Sequence, residues 1–240
     1  KLNMKILIFI PARGGSKGII GKNLHNVAGK KLIQYTIDIA LALNNKSNDS
    51  IEWVPFLSSD DNKIIEYCAK NGLHTDYRRP DDLSGDGSSI IDAIYDALKW
   101  QEEREELPDL ILVLQPTSPI RFLEEIETAV ERFLKSNLSS LVSVSKMKEH
   151  PFECVKLDGS KWEYLDIPER NIKGRQDYNQ NYYFIDGNFY IVTSSFLLKN
   201  MNLISKKETE FFELEREWPV DIDEESDLIL AESLIKKLNL

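Results

Sequence analysis

Cysteine is scarce in this chain. Its 240 residues contain two cysteines, Cys68 and Cys154. Two thiols this far apart form neither a disulfide framework nor a C-x-x-C zinc motif. Such low cysteine usage is typical of proteins from a reducing compartment, where both thiols would lie in the core. The sequence therefore predicts an intracellular, cytoplasmic protein.

Long apolar runs and a surplus of positive charge are lacking as well. No run approaches the length of about 18 apolar residues that indicates a membrane span, and the run at residues 6–10 is too short for the core of a signal peptide. The formal net charge is −10. Proteins that bind nucleic acids or membrane surfaces need a basic face. We therefore expect neither a nucleic-acid nor a membrane partner.

The sequence does contain a regular alternation of strand-like and helix-like segments. This alternation predicts parallel strands with right-handed crossovers. The expected fold class is α/β: a Rossmann-like, mostly parallel sheet flanked by helices, in one domain of residues 1–240. Pro55 indicates that its strand lies at an edge of the sheet. Strands are predicted near residues 6–10, 51–57, 110–114, 141–144 and 186–192, and helices near 32–43, 61–71, 90–101, 123–134 and 224–238.

The first predicted strand is followed by a glycine-rich, basic loop, PARGGSKGIIGKN, at residues 11–23. Glycines let backbone N–H groups approach an anion closely. Arg13, Lys17 and Lys22 add positive charge and Ser16 adds a hydroxyl donor. A loop of this kind at the carboxyl end of a strand predicts a phosphate site, although its spacing fits neither the P-loop nor G-x-G-x-x-G. The alternative is a flexible surface turn with solvated lysines.

This loop resembles the signature of a known enzyme family. The run from Pro11 to Gly18, followed by Gly21-Lys22-Asn23, is similar to that of the acylneuraminate cytidylyltransferases, the CMP-sialic acid synthetases. Kdo cytidylyltransferases carry Pro where this chain has Asn23, which favours nine-carbon acid sugars. The resemblance implies a nucleotidyltransferase-type fold, CTP as a substrate, and contact between Asn23 and the nucleoside.

Two further segments continue the resemblance. Residues 76–90 end in a pair of serines, either of which is a plausible helix N-cap; the resemblance implies instead that Arg79 and Ser89, or Ser88 in its place, contact the cytidine. In Gln115-Pro116-Thr117-Ser118-Pro119, two prolines fix the exit from a strand. This run is either a stiff strand-to-helix turn or, as the resemblance implies, a loop whose Gln115 faces the acidic sugar.

From about residue 147 the pattern changes to isolated aromatic residues and polar runs, which predict loops and short antiparallel strands. The resemblance implies a dimerisation arm at about 147–187, hence a homodimer, with Arg175 near the partner's sugar. The lone His150 is interpreted as a structural residue. Glu153 stands where several sialic-acid enzymes carry lysine, which leaves legionaminate open as the substrate, whereas the Gln-Pro-Thr-Ser-Pro motif disfavours pseudaminate.

In the strand that follows, Gly187 indicates a bulge or a close approach to a ligand. The similar Asn-Gly-x-x-Tyr stretch of the family implies that Tyr190 shapes the sugar site.

The last motif, Trp218-Pro219-Val220-Asp221-Ile222-Asp223, carries a pair of carboxylates. Residues two apart in a strand point to the same face, which would bring Asp221 and Asp223 together. A hard divalent cation neutralises such a pair well, so the motif predicts a site for Mg²⁺, with Mn²⁺ possible. The alternative is that these acids cap the helix that follows.

Together these residues give a hypothesis for a reaction. The anomeric hydroxyl of a nine-carbon 2-keto acid sugar, N-acetylneuraminate or a close relative, attacks the α-phosphorus of CTP and releases pyrophosphate. Lys22, Arg13 and Ser16 would hold the phosphates, and either Asp221 or an oxygen bound to the metal would receive the proton. The alternatives are the same reaction on legionaminate or another nonulosonate, and a non-catalytic nucleotide-binding homologue.

Overall fold

The chain folds around one six-stranded sheet. The structure is a computed structural model that describes residues 3–15, 18–166, 178, 181–215 and 219–240. The sheet contains β1 (Met4–Pro11), β4 (Ile51–Ser58), β5 (Leu110–Val113), β6 (Ser140–Lys146), β9 (Tyr183–Thr193) and β10 (Thr209–Glu213), and two small ribbons pair β2 (Asn26–Val27) with β3 (Lys30–Lys31) and β7 (Val155–Asp158) with β8 (Lys161–Tyr164). The helices are α1 (Leu32–Asn44), α2 (Asn62–Lys70), α3 (Ile90–Glu102), α4 (Leu123–Leu134), α5 (Ser194–Asn200) and α6 (Glu225–Leu238).

The strand order is β10-β6-β9-β5-β1-β4. β1 pairs in parallel with β4 and β5, and β10 pairs in parallel with β6. β9 runs in the opposite direction between β5 and β6. The predicted mostly parallel α/β sheet is therefore confirmed. β4 forms an edge, as predicted from Pro55, which lies opposite Ile8.

Helices cover both faces of the sheet, which explains why β1 is a continuous apolar run. Ile6, Ile8 and Ile10 point to one face, where they join the core cluster that includes residues of α1, α2 and α4. Leu7 and Phe9 point to the other face and pack with residues of α3 and α5. Alternate side chains of β1 are therefore buried on opposite sides of the sheet. The chain leaves the sheet after Pro11, at the carboxyl edge.

The segment after β6 contains the predicted short antiparallel strands, β7 and β8. His150 lies at its base, where Nδ1 accepts a hydrogen bond from the backbone N–H of Phe152 at 3.3 Å. Its ring also stacks against Phe152, Tyr178 and Tyr182, with centroid distances of 4.1–4.8 Å. The prediction of a structural histidine is confirmed.

β9 bends at Gly187. The pairing of β6 with β9 shifts register between Val142 and Val144, and Gly187 has a φ of +71°, which L-residues with side chains rarely adopt. The prediction of a bulge is confirmed.

The acidic motif is not part of a strand, contrary to expectation. Ile222 is nevertheless buried, and its N–H donates to the carbonyl of Thr117 at 2.8 Å, so the residues on either side of it point away from the core. α6 begins after Glu224, and the Asp227 carboxylate accepts hydrogen bonds from the N–H groups of Asp223 and Glu224 at 2.9 and 2.8 Å. Glu224 and Asp227 therefore form a capping box at the start of α6, and the alternative that Asp221 and Asp223 serve as its caps is wrong.

None of the helices in the described ranges combines the length and hydropathy that crossing a bilayer requires.

Candidate active site

A cleft of about 500 Å³ opens at the carboxyl ends of β1 and β5. Pockets of a few hundred cubic ångströms suit small ligands, and this edge of a parallel sheet is where open α/β folds bind them. Of the predicted site residues, Arg13, Lys22, Asn23, Arg79, Ser88, Ser89, Gln115 and Asp223 line the cleft. The wall also contains residues that were not predicted to bind a ligand: Pro11, Gly18, Leu83, Ile90, Pro116, Thr117 and Glu224.

Five predicted residues are not in this lining. Ser16, Lys17 and Arg175 lie outside the described residues. Asp221 and Tyr190 are described but do not line the cleft. The structure therefore brings together most of the predicted residues, from four separate segments of sequence.

Lys22 connects the basic loop, near the start of the sequence, to the acidic segment before α6, near its end. It follows Gly21 at the start of a single 3₁₀ turn, Lys22–Leu24. Its Nζ donates to the carbonyl of Ile222 at 2.6 Å and to Oδ1 of Asp223 at 2.9 Å. The Lys22 side chain is 10% exposed, whereas that of Asp223 is 77% exposed. The ammonium group is thus held inside the cleft wall, while most of the Asp223 side chain faces solvent.

Gly18 makes this junction possible. A Cβ atom built on Gly18 would lie 2.1 Å from the carbonyl oxygen of Asp223, far inside any tolerable contact. Only glycine lets the basic loop lie directly against the acidic segment. This close approach brings positive and negative side chains to one place.

Arg13 and Asn23 brace the rest of the loop. Nη1 of Arg13 donates to the carbonyl of Gly85 at 2.5 Å, and Nη2 lies 3.4 Å from the Asp86 carboxylate. The buried Asn23 amide donates to the carbonyl of Arg13 at 3.0 Å. The first loop is therefore tied to the segment that carries Ser88 and Ser89.

Arg79 lies beneath this segment. Its guanidinium is buried and donates to the hydroxyl and carbonyl oxygens of Ser58, both at 2.9 Å. Burial is the main cause that lowers its pKa. Ser89 accepts a hydrogen bond from Ile91 N–H at 3.1 Å and caps α3, which confirms the N-cap interpretation. Ser88 instead donates to the Asp82 carbonyl at 3.1 Å.

Sequence reasoning missed the role of Arg121 in positioning Gln115. Arg121 is buried; it donates to the carbonyls of Gln115 and Asn188 at 2.5 and 2.8 Å and to the Thr36 hydroxyl at 3.0 Å. These bonds join the loop after β5 to the bend in β9. The signal in the sequence that could have indicated this role is a charged residue close after a rigid run bounded by two prolines.

Gly187 lies close to both Gln115, predicted to face the sugar, and Asp221, predicted to hold the metal and receive the proton. A Cβ atom built there would lie 3.6 Å from both Nε2 of Gln115 and Oδ2 of Asp221. Next to it, the buried Asp186 carboxylate accepts hydrogen bonds from Ser143 and Ser145, each at 2.6 Å. The bend in β9 therefore brings backbone close to both functional side chains, and Asp186 holds it there.

The two acids of the last motif are electrostatically coupled. The pKa of Asp221 is raised, first by loss of hydration of its carboxyl group and also by the charge of Asp223, while a hydrogen bond from Thr117 and the charges of Lys22 and Arg121 oppose the rise. The pKa of Tyr190 is raised by burial and by the neighbouring acids, Asp221 among them. Asp221 is thus a carboxylate whose proton affinity is above normal.

The donor set suits Mg²⁺. In the described part of the chain, no group of three or more His, Cys, Asp or Glu side chains is placed to hold a metal by itself. Mg²⁺ is commonly held by one or two carboxylates, with substrate phosphates and waters completing its shell. Because Asp223 is open to the cleft and coupled to Asp221, the pair fits a cation that arrives with a phosphorylated substrate.

Comparison with known proteins gives consistent results. The cytidylyltransferase family profile matches residues 7–228. The CMP-N,N'-diacetyllegionaminic acid synthase of Legionella pneumophila is 34% identical over 97% of each chain. A pseudaminic acid cytidylyltransferase of Campylobacter jejuni is 33% identical over the same share.

Solved structures share the fold. The structure of CMP:2-keto-3-deoxy-manno-octonic acid synthetase complexed with CTP superposes with a TM-score of 0.69 at 18% identity, covering 98% of this chain and 99% of the other. A 4-diphosphocytidyl-2C-methyl-D-erythritol synthase from Anaerococcus prevotii gives a TM-score of 0.64 at 14% identity, covering 98% and 96%. At these identities the likeness is one of fold.

Proposed function

The chain belongs to the cytidylyltransferase family, and on that premise we propose that it transfers CMP from CTP to the anomeric hydroxyl of a nonulosonate, a nine-carbon 2-keto acid sugar. One observation carries this proposal: the basic loop after β1 and the carboxylates before α6 meet in one cleft through Lys22 and Asp223. The basic loop would bind the negatively charged triphosphate. The charge that shifts toward pyrophosphate during cleavage would be neutralised by the loop together with a cation held by the carboxylates.

The reaction forms a bond between the sugar's anomeric oxygen and the α-phosphorus and breaks the bond from that phosphorus to the bridging oxygen of pyrophosphate. Such transfers depend mainly on alignment and on neutralising charge. Arg13 and Lys22 would hold the phosphates, with Ser16 and Lys17 of the same loop. A carboxylate oxygen of Asp221 would accept the hydroxyl proton; the raised pKa of this acid favours that role.

Asp221 and Asp223 would also hold Mg²⁺, or Mn²⁺ in its place. When bound, the cation supplies positive charge to the phosphate oxygens and lowers the pKa of the attacking hydroxyl. Lys22 lies against Asp223, so the charges of the lysine and of the cation would act on the same phosphates.

The two substrates would lie on different walls of the cleft. Asn23, Arg79, Ser88 and Ser89 form the wall proposed for the nucleoside. Gln115, positioned by Arg121, would contact the sugar from the loop after β5. Tyr190 and the partner subunit's Arg175 are proposed to complete the sugar site.

The β7–β8 hairpin supports a homodimer. Val155 pairs with Tyr164 and Leu157 with Trp162, so these four side chains share one face, and their exposed fractions are 47–73%. The opposite face carries charged residues such as Lys156 and Glu163, which lie 3.4 Å apart. No described residue buries the apolar face. We therefore propose that a second copy covers it, and that the dimer acts in the cytoplasm.

The identity of the nonulosonate needs an experiment. Relatives named for legionaminic and for pseudaminic acid are almost equally similar to this chain, so pseudaminate belongs among the test substrates although the Gln-Pro-Thr-Ser-Pro motif disfavours it. Glu153 lies in a 3₁₀ turn at the base of the arm, outside the cleft lining of its own chain. It accepts a hydrogen bond from Tyr178 at 3.4 Å, which supports a structural role.

The test is pyrophosphate release from CTP and Mg²⁺ with legionaminate, N-acetylneuraminate, pseudaminate and Kdo offered in parallel. We expect clear turnover with one nine-carbon acid and little with Kdo, which has eight carbons. Replacing CTP by UTP controls for the nucleoside. Silence with all four acids, from folded protein that binds CTP, would contradict the proposal and favour a non-catalytic homologue.

A further inference from the structure

Lys22 and Asp223 form an ion pair before any ligand is present. Nζ of Lys22 lies 2.9 Å from Oδ1 of Asp223 and also donates to the Ile222 carbonyl at 2.6 Å. Both groups are assigned above to ligands, the lysine to phosphate and the acid to a cation. In the structure the group proposed to bind phosphate is therefore paired with the group proposed to bind the cation.

The surrounding backbone fixes the spacing of this pair. Gly18 lies against the carbonyl of Asp223, and Ile222 is tied to Thr117 through its N–H. The acidic segment is therefore held from two sides, while the lysine side chain has four rotatable carbons and can swing. Because the backbone is held, the ion pair is opened by movement of side chains, and a phosphate in the cleft would draw Lys22 toward itself.

We infer that Lys22 is a built-in counter-ion that keeps Asp223 from binding a divalent cation until a nucleotide phosphate draws the ammonium group away. This inference rests on the proposed function, because it takes Asp223 as a cation ligand and Lys22 as a phosphate ligand. It adds a coupling between the two: nucleotide and cation bind cooperatively because the same lysine opposes the cation and attracts the phosphates. By linkage the effect is reciprocal.

The coupling has a physical basis in charge. A cation that approaches Asp223 in the free protein meets an ammonium group 2.9 Å from Oδ1, which repels it. Once Lys22 turns to a phosphate, the carboxylate has lost its cationic partner and the repulsion is removed. The order of binding that follows is nucleotide first or together with its cation, and a cation alone binds poorly.

The test is binding of Mn²⁺ alone, without nucleotide, measured from the EPR signal of the free ion at constant pH. Lys22→Met removes the counter-ion and should tighten Mn²⁺ binding roughly tenfold, a change of about 1.4 kcal/mol. Lys22→Arg, which keeps the charge, should bind Mn²⁺ as the wild type does. Lys31→Met removes an equal charge from a residue that does not line the cleft, and it should have little effect.

A double variant, Lys22→Met with Asp223→Asn, identifies the ligand. The gain should disappear in it, because the released carboxylate is then gone. The inference is overturned if Lys22→Met binds Mn²⁺ no more tightly than Lys31→Met, or if the double variant keeps the gain. Circular dichroism of each variant establishes that it is folded.

The outcome is separate from that of the proposed function. If the wild type releases no pyrophosphate with any acid sugar, the proposed function fails whatever the Mn²⁺ data show. If turnover is normal but Lys22→Met gains no affinity for Mn²⁺, the counter-ion role alone fails.

Discussion

The cleft and the β7–β8 hairpin differ in whether their side chains have partners within the chain. In the cleft, charged groups are paired within the chain: Lys22 with Asp223, and Arg79 with the oxygens of Ser58. On the hairpin, Leu157 and Trp162 are 73% and 59% exposed and are covered by no described residue. The charged groups of the cleft therefore have partners within the chain, whereas the apolar face of the hairpin is exposed.

The difference follows from the chemistry of the two sites. A polar group can exchange an internal partner for a ligand at little net cost, because hydrogen bonds are traded for hydrogen bonds. An apolar face has only one way to leave water, which is burial against another surface. We therefore expect cleft substitutions to change catalysis in each protomer and hairpin substitutions to change assembly.

The largest effect is expected for Lys22→Ala. Removing a charge proposed to contact the transferred phosphates typically lowers turnover by a factor of about 100 or more, while the fold should survive because Lys22 contributes two hydrogen bonds at the cleft wall and no side chain to the apolar core clusters. Pyrophosphate release under saturating CTP measures the loss. A near-normal rate would remove Lys22 from the mechanism.

Gly18→Ala should come next. Its new methyl group would collide with the carbonyl of Asp223 and push the acidic segment from its place, and misplacement by about 1 Å costs up to roughly 100-fold in rate. Gly15→Ala is the matched control in the same loop, since a Cβ atom there meets nothing within 4 Å. Equal rates for the two variants would show that the close approach of loop and acids is not needed.

The difference between these two glycines also shows which features of the fold and site can be predicted from the sequence. The strands and helices followed from apolar periodicity, because local pattern decides which face is buried. The cleft residues followed from motif chemistry. The contact of Gly18 with Asp223, and the salt bridge that spans 201 positions from Lys22, depend on how remote segments pack, and no local pattern encodes that.

The misassigned acidic strand has the same origin. Alternation across Asp221, Ile222 and Asp223 correctly predicted one buried and two outward side chains. The backbone N–H of Ile222, however, bonds to the loop at Thr117 instead of to a strand. The role of Arg121 was missed because the partners that link it to Gln115 and Asn188 are backbone carbonyls, which every residue carries.

The hairpin side of the comparison is tested by Trp162→Ser. A tryptophan at the centre of an interface often dominates its affinity. We therefore expect the dissociation constant of the dimer to rise by about tenfold or more in this variant. Sedimentation velocity measures it, and Lys156→Ser on the charged face of the hairpin is the control. The melting temperature of the monomer should not fall. A wild type that sediments as a monomer would contradict the dimer.

The smallest effect concerns the stability of the unliganded protein. The pKa of Asp221 is raised above its ordinary value, so the folded state binds a proton more readily than the unfolded state. The free energy of unfolding therefore falls as pH rises from the unfolded-state pKa of Asp221 through its higher folded-state pKa. Asp221→Asn should melt slightly higher than the wild type near neutral pH, and the gap should close in acid. Asp49→Asn, in an exposed turn, is the control, and a lower melting temperature for Asp221→Asn at neutral pH would refute this view.

The central claim is tested most directly by phosphorus NMR of one reaction mixture that contains the protein, CTP, Mg²⁺ and the preferred acid sugar. The account predicts that the three CTP resonances give way to pyrophosphate and one CMP-diester resonance in equal amounts, and that the Lys22→Ala mixture stays nearly unchanged. Appearance of CDP and inorganic phosphate, or intact CTP beside protein that binds it, would contradict the account.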